Sequence, residues 1–348
     1  MRNDRIQWKW VESFARVFSL CGVQRGEVSA ILSESQSRAI NVELAELALE
    51  SLGATVFHIS LPTPRLTAPV PVRSTGASHV LQRIAPVVDS LARCGFIADL
   101  TDEGLLHAPE LGDILKGGAR ILVVSNEHPE ILERTMPDPA LEPKVRLGMR
   151  MMKGAREMHV TSRHGSDLRV AMEGARVGGV WGYTAKPGTI SHWPGGICLA
   201  FPKAGAANGR LVLAPGDINL TFKRYLETPV TLNIVDDYIT AIDGDGIDAA
   251  LTRDYLSAWK DRNAAAVSHV GWGMNPGAHW VSGIMYDKDE TNGTEQRAFA
   301  GNFLYSTGAN ETANRFTLGH FDIPMRGCSV SLDGTPVVIE GALVGELA

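Results

Sequence analysis

The chain of 348 residues is poor in cysteine, and the four present, Cys21, Cys94, Cys198 and Cys328, form no C-x-x-C pair. Their scatter excludes a zinc ribbon or a thioredoxin-like redox site and leaves reduced, mostly buried thiols as the expectation. No stretch reaches the roughly 18–20 apolar residues that a membrane span requires. The N-terminal segment is charged and amphipathic and lacks the apolar core and cleavage site of a secretory signal. A cytoplasmic protein with no membrane partner is therefore expected. Basic tracts are also missing: Lys and Arg number 33 against 39 Asp and Glu, for a formal net charge of −6, so nucleic acid is not expected as a partner. G-x-G-x-x-G, Walker A, G-x-S-x-G and H-E-x-x-H do not occur, which removes the commonest nucleotide-binding, hydrolase and zinc-peptidase readings. No repeat or low-complexity tract interrupts the chain.

Apolar residues make up 44% and charged residues 21%, ordinary proportions for a globular protein. The length suits about two domains, or one large one. In the first 150 residues, helix and strand signals alternate. Helical spacing runs through 8–21, Asn41–Leu52, Val80–Cys94 and Ala108–Lys116. Short apolar runs at 28–32, 54–59, 96–100 and 120–124 read as buried strands. Leu61–Val72 holds four prolines and reads as loop. Such alternation predicts a parallel sheet covered by helices, with working loops at the strand ends near Ser33, Ser60, Thr101 and Ser125. Leu141–Arg156 reads as a linking helix. Beyond it short alternating strands take over, at 159–161, 197–201, 210–213, 230–235 and 238–242, with Asp236-Asp237 forming a tight hairpin turn. Helices are expected at Ile247–Trp259 and Thr294–Phe303. The prediction is an α/β protein: an N-terminal parallel-sheet α/β domain, 1–153, followed by a mixed, largely antiparallel α+β metal-binding domain, 154–348.

Of ten histidines, His58, His79, His128, His159 and His164 have ordinary surface or core explanations. Three segments crowd unusual residues together. In Val267–Gly273, His269 precedes two glycines that let the backbone approach something closely. Gly301–Gly308 ends in the hydroxyls Ser306 and Thr307. In Thr317–Pro324, His320 and Asp322 stand two apart. In a strand, residues at i and i+2 share a face, so this imidazole and carboxylate project side by side while Phe321 turns into packing. Two readings stay open on spacing alone: a pair of metal ligands, or an Asp322 that merely orients His320, both solvated. His192, beside Trp193-Pro194-Gly195-Gly196, suits a fixed loop lining a pocket or a structural turn. His107 stands after a strand end, at the start of a predicted helix whose N-terminus would favour the neutral imidazole of a general base. Asp243-Gly244-Asp245-Gly246 lacks the remaining ligands of a calcium loop and reads as a turn.

Several longer segments carry a family resemblance. VSHVGWGMNPGAHW, RAFAGNFLYSTGAN and GHFDIPMRGCSVSLDG, with LLHAPELGDILKGGARILVV and GTISHWPGGICLAFP upstream, resemble the 2,5-dihydroxypyridine 5,6-dioxygenase family in the same order. The resemblance runs from about residue 28 to the end, and the wider superfamily is similar to the M29 aminopeptidases. It implies a mononuclear non-haem Fe(II) centre with His269, His320 and Asp322 as ligands. It also implies an acid–base role for His107 on the substrate hydroxyl, and substrate-contacting positions at Leu106, Val180, His192 and Ser306. The family reaction adds both atoms of O2 across the C5–C6 bond of a dihydroxypyridine and yields N-formylmaleamate. One departure bears on the substrate. Where the resemblance implies a pocket glutamate, this sequence has Val180, which offers no partner to a ring N–H or hydroxyl. The partners implied are O2 and a small aromatic or N-heteroaromatic ring, in a homo-oligomer. The alternatives are an M29-type dinuclear aminopeptidase, which needs several carboxylates around two ions, and a non-catalytic binding protein on the same scaffold.

Overall fold

The structure is a computed structural model and describes residues 5–65 and 78–348. Its first part runs α1 (Trp8–Leu20), β1 (Val28–Glu34), α2 (Ala39–Ser51), β2 (Thr55–Leu61), α3 (Ala85–Ala92), β3 (Phe96–Asp99), α4 (Leu111–Lys116), β4 (Arg120–Val124), α5 (Pro129–Arg134) and α6 (Leu141–Gly154). Then come β5 (Glu157–Ser162), β6 (Asp167–Ala171), β7 (Arg176–Val180), β8 (Ile190–Trp193), β9 (Ile197–Phe201), β10 (Ala207–Leu213), β11 (Ile218–Asn219), β12 (Arg224–Tyr225), β13 (Val230–Val235) and β14 (Tyr238–Asp243). The chain finishes with α7 (Ile247–Ala258), β15 (Val267–Gly273), α8 (Ser282–Met285), α9 (Thr294–Ala298), β16 (Phe303–Asn310), β17 (Arg315–Met325), β18 (Cys328–Leu332), β19 (Thr335–Ile339) and β20 (Ala342–Leu343).

The alternating first part forms a five-stranded parallel sheet in the order β2-β1-β3-β4-β8. Its inner strands β1, β3 and β4 are buried on both faces because helices cover both. Ile31, Phe96, Ala98 and Leu122 pack against Trp10, Phe14, Val17 and Leu44 of α1 and α2. Ala30, Leu32, Ile97 and Ile121 pack on the other side against Val88 and Leu91 of α3 and Ile114 of α4. The fifth strand, β8, comes from beyond residue 153 and pairs Val123 with His192. Its four residues, Ile-Ser-His-Trp, carry too little apolar periodicity to read as a strand beforehand.

The second part is antiparallel, as expected, and divides into two large sheets and a two-stranded one, β11-β12. One has eight strands, β14-β13-β10-β6-β5-β18-β19-β20; the other has five, β17-β16-β15-β9-β7. Between them lies the largest core, with Val160, Leu211 and Val330 from the first and Val270, Trp272, Tyr305, Phe321 and Ile323 from the second. Asp236 and Asp237 turn between β13 and β14 with φ of 47° and 78°, the left-handed pair a two-residue hairpin needs.

Several expected elements differ in extent. The helix expected over Val80–Cys94 shrinks to α3, because Arg83 takes φ 62° and Pro86 then sits in the first turn. That expected over Thr294–Phe303 stops at Ala298, and Phe303 opens β16. That expected from Ala108 begins at Leu111. In the proline-rich Leu61–Val72 segment, residues 62–65 are irregular, and 66–72 lie outside the described residues.

Candidate metal centre and its pocket

The ends of the parallel strands face one side of the five-stranded antiparallel sheet, and the pocket forms between them. The loop after β3 is shaped by Asp99, a fully buried carboxyl. It accepts hydrogen bonds from the Thr101 backbone N–H and hydroxyl and from the Leu105 backbone N–H, at 3.0, 2.7 and 2.7 Å. Burial pushes its pKa up to about 6, against the pull of those donors. The loop so tied presents Thr101, Asp102, Glu103, Leu106 and His107 to the cavity, alongside Val123, Ser125 and His192 from the neighbouring strand ends. The opposite wall is Ile197, Leu199 and Phe201 of β9, His269, Leu304, His320 and Asp322; Asn292, Thr294 and Arg297 close a third side. The period of two makes this work: Phe321 and Ile323 turn into the core while His320 and Asp322 line the cavity.

Strand register brings the third group. His269 of β15 pairs with Ser306 of β16, which pairs with Asp322 of β17. A bulge between Val267 and His269 sets that register, a device that re-aims side chains. The donor atoms of His269, His320 and Asp322 all lie within 4.8 Å of one another. His320 Nε2 is 3.2 Å and His269 Nε2 3.7 Å from the same oxygen, Asp322 Oδ1. The other oxygen, Oδ2, accepts from Arg297 Nε at 2.5 Å. Ser306 Oγ donates to Oδ1 from behind. Burial works to raise the Asp322 carboxyl's pKa, but His320 and Arg297 outweigh it and hold the group well below the usual carboxylate range.

The imidazoles are set as neutral donors. The Ser268 hydroxyl gives its proton to the Ala309 carbonyl at 2.6 Å and faces His269 Nδ1 at 3.3 Å. His269 Nδ1–H donates to that hydroxyl, which leaves Nε2 a lone pair toward Asp322. Burial lowers the His269 pKa to about 3. His192 Nδ1–H donates to the Pro194 carbonyl at 2.7 Å, so its Nε2 is an acceptor, and burial lowers its pKa to about 4. His107 is the open one, its ring exposed at the cavity mouth. Crowding by protein atoms still pushes its pKa down, to about 4, and His320, 6.2 Å away between ring centres, acts in the same direction. Water at the exposed ring counters part of that crowding, and the imidazole is neutral at pH 7 either way. The helix dipole expected to do this is not at hand, because α4 starts only at Leu111.

A family model for 2,5-dihydroxypyridine 5,6-dioxygenase, NicX, matches residues 9–345. The 2,5-dihydroxypyridine 5,6-dioxygenase of Pseudomonas putida KT2440 is 34% identical over 337 residues, covering 96% of this chain and 95% of the relative. The chain belongs to the 2,5-dihydroxypyridine 5,6-dioxygenase family. The solved structure of 2,5-dihydroxypyridine dioxygenase from Pseudomonas putida KT2440 superposes with a TM-score of 0.90 at 33% identity, over 99% of both chains. AmpT from Thermus thermophilus shares the fold alone, with a TM-score of 0.63 at 15% identity, over 97% of this chain and 99% of that one.

Of the residues singled out in the sequence, Leu106, His107, His192, His269, His320 and Asp322 line this one cavity. Ser306 is fully buried and reaches the site through Asp322. Val180 is on β7, the edge strand, paired with Ile197. Ile197 lines the cavity; Val180 is not among the lining residues. The glycines after His269 do make a close approach, though to protein. A Cβ on Gly271 would stand 1.9 Å from the Cys198 carbonyl, and one on Gly273 2.3 Å from that of Phe299. Sequence reasoning gave no role to Asp102, which belongs to no motif, or to Arg297, which opens the RAFAGNFLYSTGAN segment. The donor set fits Fe(II): two imidazoles and one carboxylate oxygen on one side, the rest of the cavity open. It is the only such group of three or more potential ligands among the described residues, so the several carboxylates that a dinuclear centre needs are not assembled around it.

Proposed function

We propose that this chain is a cytoplasmic, homo-oligomeric ring-opening dioxygenase that holds one Fe(II) on His269, His320 and Asp322 and converts 2,5-dihydroxypyridine, or a close analogue, to N-formylmaleamate. The observation that carries the reading is the convergence of three donor atoms within 4.8 Å on a cavity of about 130 Å³, in a member of this family. A cavity of about 150 Å³ holds one benzene ring, so the space suits a single small ring. When bound, Fe(II) supplies the redox-active centre through which O2 can react with a closed-shell aromatic ring.

The chain's own residues do the rest. Leu106, Ile197, Leu199, Phe201 and Leu304 offer apolar contact to the ring faces. His107, neutral and open to the cavity, takes the proton of a ring hydroxyl and makes the ring electron-rich. His192 accepts a second hydrogen bond at Nε2. Arg297 and Ser306 hold the Asp322 carboxylate so that it offers one oxygen. Holding ring and oxidant side by side turns a many-body encounter into a positioned reaction.

Metal analysis after anaerobic purification tests the centre. The expected result is about one iron per chain, lost in His320→Ala and Asp322→Ala, since two ligands hold Fe(II) poorly. Two zinc or manganese ions per chain with peptidase activity would overturn the proposal.

A further inference from the structure

The pocket has to recognise a ring bearing N–H and O–H donors, and Val180 offers no acceptor. Two acidic residues, Asp102 and Glu103, line the cavity along with the metal ligands. Asp102 is fixed on three sides. Its backbone N–H donates to Glu34 Oε1 at 3.0 Å, its carbonyl accepts from Asn292 Nδ2 at 3.4 Å, and its Oδ1 accepts from Asn126 Nδ2 at 2.9 Å. The second carboxylate oxygen, Oδ2, has no hydrogen bond among the described residues, and the side chain is half-buried at the cavity wall. Three supports come from three different segments, so the acceptor is preorganised and needs no rearrangement to receive a donor.

The cations nearby complete the argument. Among the described residues Arg297 is the only Lys or Arg lining the cavity, and its Nε is committed to Asp322. Arg176 is exposed and stacked on the Phe201 ring at 4.4 Å, outside the lining. Lys223 feels the charge of Asp102, but it is outside the lining and its Nζ donates to the Lys288 carbonyl. A ring carrying its own carboxylate would thus meet the acidic residues beside a guanidinium already bonded to Asp322 and Asn292, and like-charge contact in a half-buried site is costly.

We propose that Asp102 is a specificity-determining residue: its carboxylate accepts the N–H or O–H of an uncharged hydroxylated N-heteroaromatic ring and turns away rings bearing a carboxylate. The inference rests on the dioxygenase reading for its substrate, but binding without oxygen tests it separately. Iron-loaded protein would be titrated anaerobically, by calorimetry, with 2,5-dihydroxypyridine and with 2,5-dihydroxybenzoate. Wild type should prefer the pyridine. Asp102→Asn, which keeps the shape and reverses the hydrogen-bonding sense, and Asp102→Ala should each weaken pyridine binding by about ten-fold or more, the usual scale of a hydrogen bond to a charged group. Neither should weaken the benzoate, and iron content should be unchanged. Should Asp102→Ala fold poorly, the isosteric Asn variant carries the test. Pyridine affinity equal to wild type in the Asn variant, or a wild type that prefers the benzoate, would overturn the proposal. Turnover in air, assayed apart, bears on the dioxygenase reading alone.

Discussion

At the scale of single residues, the site separates metal holding from proton handling. His107 stands outside the trio of donors and faces the cavity. His107→Ala should therefore keep its iron and lose about 10²–10⁴-fold in turnover, the usual span for a general base. A variant with wild-type rates would remove His107 from the chemistry. His192 gives a different signature. Its pKa in the fold, about 4, lies below the ordinary 6.5. Between those values the unfolded chain binds a proton that the folded chain refuses, so stability is lost as pH falls from about 6.5 to about 4, with no further loss below. At ~1.4 kcal/mol per pKa unit, the metal-free protein should lose on the order of 2–3 kcal/mol to this group. Denaturant unfolding at pH 7 and pH 4.5 should show a smaller loss in His192→Gln. Parallel losses in variant and wild type would contradict the assignment.

The same scale shows what was legible beforehand. His320 and Asp322 could be paired from strand periodicity because they are neighbours. His269 needed the family resemblance, because only the register of β15, β16 and β17 carries it to Asp322. Asp102 gave no sign, since it acts through one carboxylate oxygen that no motif encodes, and Arg297 stood in a quoted segment while its bonds to Asp322 and Asn292 show only in the fold. Val180 was placed by resemblance; its strand partner Ile197 lines the cavity, and Val180 stands beside that lining on the edge strand.

At the scale of elements, the site depends on how closely strands approach. Gly308 faces His320 across β16 and β17 and takes φ 122°. A Cβ there would stand 2.2 Å from the Gly319 carbonyl. Gly308→Ala must strain the backbone or part the strands, at about 1–3 kcal/mol, and it should weaken iron binding through His320. Unchanged unfolding midpoints and iron content would show that the strands tolerate the methyl. The inner parallel strands β1, β3 and β4 were readable because each is an apolar run buried on both faces. β8 was not, because its four residues mix a serine and a histidine into the run, and α3 came out short because local turns overrode its helical spacing.

At the scale of the molecule, the cavity belongs to neither sheet alone. Strand ends of the parallel sheet supply Asp102, His107 and His192, while the antiparallel sheet supplies His269, His320 and Asp322. Fold likeness to AmpT extends to the layers; the chemistry rests on the side chains that line this junction. The central claim is that both atoms of O2 enter an opened ring. Reaction of the iron-loaded protein with 2,5-dihydroxypyridine under ¹⁸O2, followed by mass spectrometry of the product, tests it most directly. The account predicts two labelled oxygens per product, one O2 consumed per ring. A single label with the second oxygen from water, or loss of substrate without O2 uptake, would contradict it.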